Sequence, residues 1–385
     1  MKIIKRAITL VLSASMLISL LPVMNAAAAE NTPPSAPTEL LTNELTEPMN
    51  VETPTFGWLV NDADYNEVQT AYQIIVTDEV TNNTVWDSDK VVSSNQSYVK
   101  YDGNELDDGH PYSWKVKTWD KDGAESPYSD NAYFSTGIKN DNWDASWISS
   151  GKTGANHYWY ARYEKSLDST KTVASIMAYF AGVHDYELNV NGEYIGRGQS
   201  FDYASETRYQ GWDITDSVKN SNKIAIGLLN RYYGGGQGRA ASKEALLGHI
   251  NIYYTDGTKD TIVTNGDWKV STDVPLGGSI KRNGEGDFVE EYNAQNTQEG
   301  FSAVGFDDSA WSAASVIGVH PTTEFTNVIP ELSKPTDYIV NPVSVTKLSN
   351  GVTVADFGKV IPARPQITFK TEQQENNLQF RQAMF

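Results

Sequence analysis

The chain has 385 residues, enough for two to three domains, and its 30 Lys and Arg stand against 49 Asp and Glu for a formal charge of −19 at pH 7. Such a charge repels phosphate backbones and anionic lipid surfaces, which argues against a nucleic-acid or membrane-surface role. Cysteine is absent, which excludes disulfides, thiolate metal sites and a Cys nucleophile and leaves burial to hold the fold together.

The N-terminus reads as a secretory signal over residues 1–29. Lys2, Lys5 and Arg6 form a basic start, residues 7–24 are apolar but broken by Pro22, and Ala27-Ala28-Ala29 offers a small-residue cleavage site before Glu30. An uncleaved anchor is the alternative; Pro22 and the Ala-rich end favour cleavage and a secreted, extracellular protein. Residues 30–37 contain NTPPSAP, a Pro-rich extended linker.

Residues 38–138 read as one all-β module. Phe56-Gly57-Trp58, residues 71–76, residues 85–88 and residues 112–119 have strand composition, and Asn82-Asn83, Asp102-Gly103, Asp108-Gly109 and Asp122-Gly123 supply turns at short spacing.

Residues 139–320 form a second β module. Residues 173–180 (VASIMAYF) have an unbroken apolar tone that suits a central strand. Residues 186–190 alternate apolar and polar, Asn191-Gly192 marks a tight hairpin because both positions accept φ > 0, and residues 193–196 return as the partner strand. Strands are also expected at 209–214, 223–229, 248–254 and 261–264, the last two joined across Thr255-Asp256-Gly257-Thr258. Residues 216–222 read as a polar connection and residues 242–247 as at most a short turn. No long amphipathic helix is visible in the mature chain.

Several phrases resemble the N-terminal region of bacterial α-L-rhamnosidases, a glycoside hydrolase family. The carriers are Trp143-Asp144-Ala145-Ser146-Trp147-Ile148, the order of strand, Asn191-Gly192 turn, Asp202-Tyr203 loop and Tyr209-x-x-x-Asp213-Ile214-Thr215, and then Phe306-Asp307-Asp308-Ser309-Ala310-Trp311. The segment Tyr112-x-Trp114-x-Val116-x-x-Trp119-Asp120 further resembles the last hairpin of fibronectin type III domains. One departure is Glu291-Tyr292-Asn293-Ala294-Gln295, where the family typically has acidic-Tyr-Asp-Ala-Arg. The resemblance implies an all-β chain of tandem β-sandwiches: a fibronectin type III/Ig-like sandwich over 38–138, then a jelly-roll, galactose-binding-like sandwich over 139–320. Residues 325–385 are expected to start a third β-sandwich that is incomplete. VTVADFG at 352–358 and the segments at 367–370 and 378–383 would supply its first strands, and the family's catalytic barrel would follow.

Glycoside hydrolysis needs two carboxyl groups flanking the scissile bond. Glu290 and Glu291 are adjacent, so on a strand they face opposite ways and cannot form that pair. No catalytic residue is assigned. The glycine run at 234–238 lacks Gly-Lys-Ser/Thr and a βαβ context, so nucleotide binding is set aside. That run is either a plain surface loop or a sugar-contacting loop, with Tyr232, Tyr233 and Arg239 as substrate-binding candidates. The metal that would suit the oxygen donors Asp202, Glu206 and Asn230 is calcium, which the resemblance suggests at the rim of the second module; taken singly, each of these residues reads first as a solvated turn former. Asp62-x-Asp64-x-Asn66 begins like an EF-hand loop but lacks the glycine at position 6 and has Gln73 where Glu is required. No organic cofactor is expected. His110, His157, His184, His249 and His320 lack zinc-site spacing.

The expected function is therefore the non-catalytic N-terminal portion of a secreted α-L-rhamnosidase-like glycoside hydrolase, inactive by itself. The rival expectation is a free-standing carbohydrate-binding β-sandwich protein. Rhamnosyl glycosides or polysaccharide would be the partner in either case.

Overall fold

The computed structural model describes residues 31–199, 206–234, 243–277, 291–331, 338–361 and 366. The expected signal at 1–29, the strands expected at 367–370 and 378–383, and Glu290 lie outside the described residues. The chain divides into two compact units, residues 1–333 and 334–385.

The first part of the larger unit is an Ig-like sandwich. Its strands are β1 (Ser35–Thr42), β2 (Thr55–Asn61), β3 (Ala71–Asp78), β4 (Thr84–Asp87), β5 (Val91–Val92), β6 (Val99–Lys100), β7 (Pro111–Trp119) and β8 (Ala132–Ser135). A three-stranded sheet, β1-β2-β6, faces a five-stranded sheet, β4-β3-β7-β8 with β5 on β3. Alternation along β3 and β7 turns Ile74, Val76, Trp114 and Val116 inward to meet Phe56 and Trp58. The indole N–H groups are satisfied in place: Trp114 donates to Thr42 Oγ1 at 2.9 Å and Trp58 to Gln69 Oε1 at 2.9 Å.

The second sandwich follows. It contains β9 (Ser146–Ser149), β10 (His157–Ser166), β11 (Val173–Val183), β12 (Asp185–Val190), β13 (Glu193–Gln199), β14 (Glu206–Asp213), β15 (Lys223–Tyr232), β16 (Ala245–Tyr254), β17 (Lys259–Val263), β18 (Lys269–Ser271), β19 (Leu276–Gly277), β20 (Glu291–Tyr292), β21 (Ser312–Ala313), β22 (Ser315–Val319) and β23 (Asn327–Pro330). One sheet runs β13-β12-β15-β10-β18-β21; the other runs β22-β9-β16-β11-β14-β23, with β17 on β16. Pairing is antiparallel except between β14 and β23. The core between the sheets holds Trp159, Ala161, Leu188, Ile226 and Leu228 from one side and Ile176, Ala178, Phe180, Ile250 and Ile252 from the other.

The apolar run at 173–180 is the central strand its composition predicts: β11 lies between β16 and β14. The Asn191-Gly192 turn forms with φ of 51° and 87°, as a two-residue hairpin demands. Two expectations are corrected. Residues 245–247 are not a turn but the start of β16, because Ala245, Leu246 and Leu247 pair with Val183, Gly182 and Ala181 and are buried. The connection at 216–222 begins with a short helix, α1 (Thr215–Val218). The Asp213 carboxylate accepts from Thr215 N and Oγ1 at 2.9 and 2.6 Å, and Val218 is buried.

In the second unit, β24 (Ser344–Lys347) and β25 (Thr353–Asp356) form an antiparallel hairpin in register from Ser344↔Asp356 to Lys347↔Thr353. Every residue in both strands is exposed. Among the described residues no helix is long and apolar enough to cross a membrane.

Candidate functional site

Three strand ends meet at one rim of the second sandwich. His157 opens β10 opposite Tyr232 at the end of β15, and Asp185 opens β12 opposite Arg231. The Tyr232 ring lies parallel to His184 at 5.2 Å and has His157 5.5 Å away. Its exposure is 8%, so this ring packs between imidazoles and offers little face to a ligand. Tyr233 is half-buried; its phenol donates to the Asp185 carboxylate and its backbone N–H to His184 Nδ1 at 3.1 Å. The Arg231 guanidinium sits 4.9 Å from the Tyr158 ring and 4.1 Å from the Tyr233 ring, a cation–π stack at the rim. Below it, His157 Nε2 is bonded to Glu244 Oε2, and Glu244 Oε1 accepts from Ser150 N at 2.5 Å.

The remaining expected site residues are dispersed. Asn230 is buried within β15, where its amide nitrogen donates to the carbonyls of Trp159 at 3.4 Å and Leu228 at 3.5 Å. Glu206 is exposed at the start of β14. Among the described residues no hydrogen bond joins Glu206 to Asn230; Asp202 and Arg239 lie outside them.

The outer face of the seven-stranded sheet is not bare. All ten residues of β16 are buried, because one face looks into the sandwich core and the other onto the Ig-like domain. Three tyrosines of that outer face reach across. Tyr179 on β11 donates to Thr136 O at 2.9 Å, and Tyr253 on β16 donates to Gly109 O at 2.8 Å. Tyr209 on β14 accepts from Ile138 N at 3.1 Å. Burial pushes all three phenols well above their ordinary range, so they stay protonated. The seam leaves a polar cleft of about 680 Å³ lined by Asp78, Asp107, Asp108, His110, Asn251 and Lys259 among others. His110 Nε2 lies 2.9 Å from Asp78 Oδ1. Burial raises the Asp78 carboxyl, but His110 and the N–H groups of Thr81 and Val80 outweigh it and hold it below its ordinary value.

A second feature escaped sequence reasoning. Arg162, 2% exposed in the middle of β10, donates to Asp308 Oδ2 and Glu164 Oε2 at 2.5 Å each. It also donates to the carbonyls of Phe301 at 2.9 Å and Ala303 at 3.0 Å. The guanidinium thus staples the 301–308 segment to the sheet. Its one sequence signal is a lone Arg inside the run Tyr158-Trp159-Tyr160-Ala161-Arg162-Tyr163.

The carboxylates at the rim, at the seam and at this staple are engaged in holding segments together. The Rha78A-like, N-terminal immunoglobulin domain family matches residues 37–140, and the α-L-rhamnosidase N-terminal domain family matches residues 171–338. An α-L-rhamnosidase of Formosa agariphila is 28% identical over 368 residues, covering 84% of this chain and 38% of its own length. One from Alteromonas sp. is 25% identical over 86% of this chain and 38% of its own. The solved α-L-rhamnosidase from Dictyoglumus thermophilum superposes with a TM-score of 0.67 at 28% identity, over 84% of this chain and 38% of that one. The Aspergillus terreus enzyme, at 23% identity and a TM-score of 0.66, shares the fold. The chain spans 38% of the length of these curated relatives. The chain thus carries an immunoglobulin domain leading into a β-sandwich, each matching the corresponding N-terminal domain family of α-L-rhamnosidases.

Proposed function

We propose that the chain is the non-catalytic N-terminal portion of a secreted α-L-rhamnosidase-like glycoside hydrolase whose parent removes terminal α-L-rhamnose from glycosides. The observation that carries this reading is the seam. Three buried tyrosine hydroxyls bond to backbone groups of the Ig-like domain and its exit, so two sandwiches behave as one rigid support. By the same reading the parent uses a pair of carboxyl groups supplied from elsewhere. The test is direct: the purified chain, incubated with a chromogenic α-L-rhamnoside, releases no more product than buffer does. Rhamnose release by this chain would overturn the reading. Secretion is tested by N-terminal sequencing of the exported protein, expected to begin at Glu30.

A carbohydrate-binding role is a second reading, favoured by the Arg231 guanidinium held against the Tyr158 and Tyr233 rings. Tyr233 and Arg239 would then contact sugar, with Tyr232 packing behind them. Calcium at this rim would rely on Asp202 and Glu206, because Asn230 is buried within β15. Calorimetric titration with L-rhamnose, with and without calcium, tests it; absence of heat in both removes it.

A further inference from the structure

The loop between β2 and β3 carries Asp62, Asp64 and Glu67, and β7 ends one residue before Asp120. Strand pairing brings these together. Ala71 at the start of β3 is opposite Trp119 at the end of β7. Thr70 N donates to Trp119 O at 2.8 Å and its hydroxyl to Asp120 O at 2.6 Å. The acidic loop therefore folds over the end of β7. One carboxylate oxygen from each of Asp62, Glu67 and Asp120 lies within 4.8 Å of the other two.

Three converging acids alone would be unremarkable on a surface, but here Asp120 is buried and Asp62 and Glu67 are half-buried. Asp120 is 2% exposed and the Glu67 side chain 7%. Two of their oxygens, Asp62 Oδ2 and Glu67 Oε2, are sealed from solvent and have no hydrogen-bond donor. The other oxygens are accounted for. Asp62 Oδ1 accepts from Asp64 N at 2.9 Å. Asp120 Oδ1 accepts from Asp122 N at 2.9 Å and Ala124 N at 2.8 Å, and its Oδ2 from Asn31 Nδ2 at 2.8 Å. Glu67 Oε1 takes the Lys121 ammonium, which is 44% exposed and leans also towards Asp122 at 3.6 Å. Among the described residues no cationic side chain pairs with Asp62 or Asp120. Burying carboxylate oxygens without donors is costly, and such groups are found paired or bound to a metal. One peripheral ammonium satisfies a single oxygen of this set and leaves Asp62 Oδ2 and Glu67 Oε2 without a donor.

We propose that Asp62, Glu67 and Asp120 form a calcium site in the immunoglobulin domain. The donors are all oxygens, which suits a hard cation and not zinc or copper. They come from a loop and a strand end, with spacing that a larger, flexibly coordinated ion accepts more readily than magnesium, which demands near-ideal octahedral geometry. Beside the site, Asn31 donates its side-chain amide to Asp120 Oδ2 at 2.8 Å. The neighbouring Thr32 N–H is held by Asp64 Oδ2 at 2.6 Å, so the ion pins the start of the domain to its β2–β3 loop. The site is discontinuous in sequence, which is why EF-hand spacing misses it: Glu67 stands at position 6 of that pattern and Asp120 lies far outside it.

The test is calorimetric titration of the full chain with calcium chloride after chelator treatment, with thermal unfolding followed in parallel. One ion per chain is expected to bind with Kd of about 10⁻⁴–10⁻³ M, the range of extracellular modules, and to raise Tm. Glu67→Gln is expected to weaken binding by at least about tenfold and abolish the Tm rise while leaving the far-UV CD spectrum unchanged. Asp62→Asn provides a second variant should Glu67→Gln fold poorly. Glu206→Gln is expected to bind as the unaltered chain does, which separates this site from any at the sandwich rim. Absence of heat and of a Tm rise in ~10 mM calcium overturns the proposal. So does binding that survives both Glu67→Gln and Asp62→Asn, or that is lost only in Glu206→Gln.

Discussion

Replacing Arg162 with methionine is expected to loosen the 301–308 segment from the sandwich. Methionine keeps most of the apolar stem but removes donors to Asp308, Glu164, Phe301 O and Ala303 O together. Breaking a buried charge pair by removing one partner costs about 3–5 kcal/mol. Glu164 retains Lys223 at 2.8 Å and Gly305 N at 2.8 Å, so the lower part of that range applies, about 3–4 kcal/mol. For a domain of this size each kcal/mol lowers Tm by about 2–4 °C, which gives a fall of about 6–16 °C. Thermal unfolding at pH 7, read by calorimetry and by the emission of Trp311, measures it. The Trp311 indole stacks on Tyr160 at 5.7 Å, and its signal should change before the core melts. A fall below about 2 °C would show that Phe301, Phe306 and Trp311 hold the segment by apolar packing alone and would refute the staple. Arg162→Lys tests geometry apart from charge, since an ammonium cannot fork between two carboxylates and two carbonyls.

The same staple predicts acid sensitivity. Burial raises the Glu164 carboxyl, but Lys223, the Gly305 N–H and Arg162 outweigh it and hold it down at about 2. A depressed carboxyl contributes stability that is fully present above its ordinary value of 4.5 and is lost as pH falls towards 2; Glu164→Gln should remove that dependence in acid denaturation curves. His320 acts in a higher window. Burial lowers its pKa from 6.5, and its Nδ1 accepts from Trp147 Nε1 at 3.0 Å, which requires the neutral ring. Its contribution is present above pH 6.5 and declines below it, so the Tm gap between the natural chain and His320→Asn should narrow from pH 7.5 to 5. Tyr253→Phe leaves Gly109 O short of its principal donor and should cost about 1–2 kcal/mol in urea unfolding; no change in midpoint would mean water replaces the phenol. Gly198→Ala places a methyl inside the Tyr186 ring and should cost about 1–3 kcal/mol, whereas Gly277→Ala, with open space around it, should cost less than about 0.5 kcal/mol.

Much of the fold was legible because its signals are local. The Asn191-Gly192 turn, the apolar run of β11 and the hairpin around Asp256-Gly257 each depend on neighbouring residues, and each formed. Residues 245–247 misled because their burial comes from a sheet on one side and a separate domain on the other, which no short window contains. The rim was legible only in part. Tyr232 and Asn230 sit at an expected loop margin, but the register His157↔Tyr232 and Trp159↔Asn230 turns both side chains into packed surroundings. Arg162 and the Asp62–Glu67–Asp120 cluster were hidden for a common reason: their partners are brought by pairing between strands distant in sequence.

The parallel pairing of β14 with β23 has a consequence for biosynthesis. Glu206 meets Asn327 and Tyr209 meets Pro330, while Asn50 donates to Glu331 O at 3.0 Å across 281 positions. A ribosome delivers the chain from its N-terminus, so the immunoglobulin domain can close on itself early. The outer sheet of its neighbour waits with an open margin until the last few of these residues emerge. Ordering of the whole support is thereby tied to the arrival of the segment that leads onward.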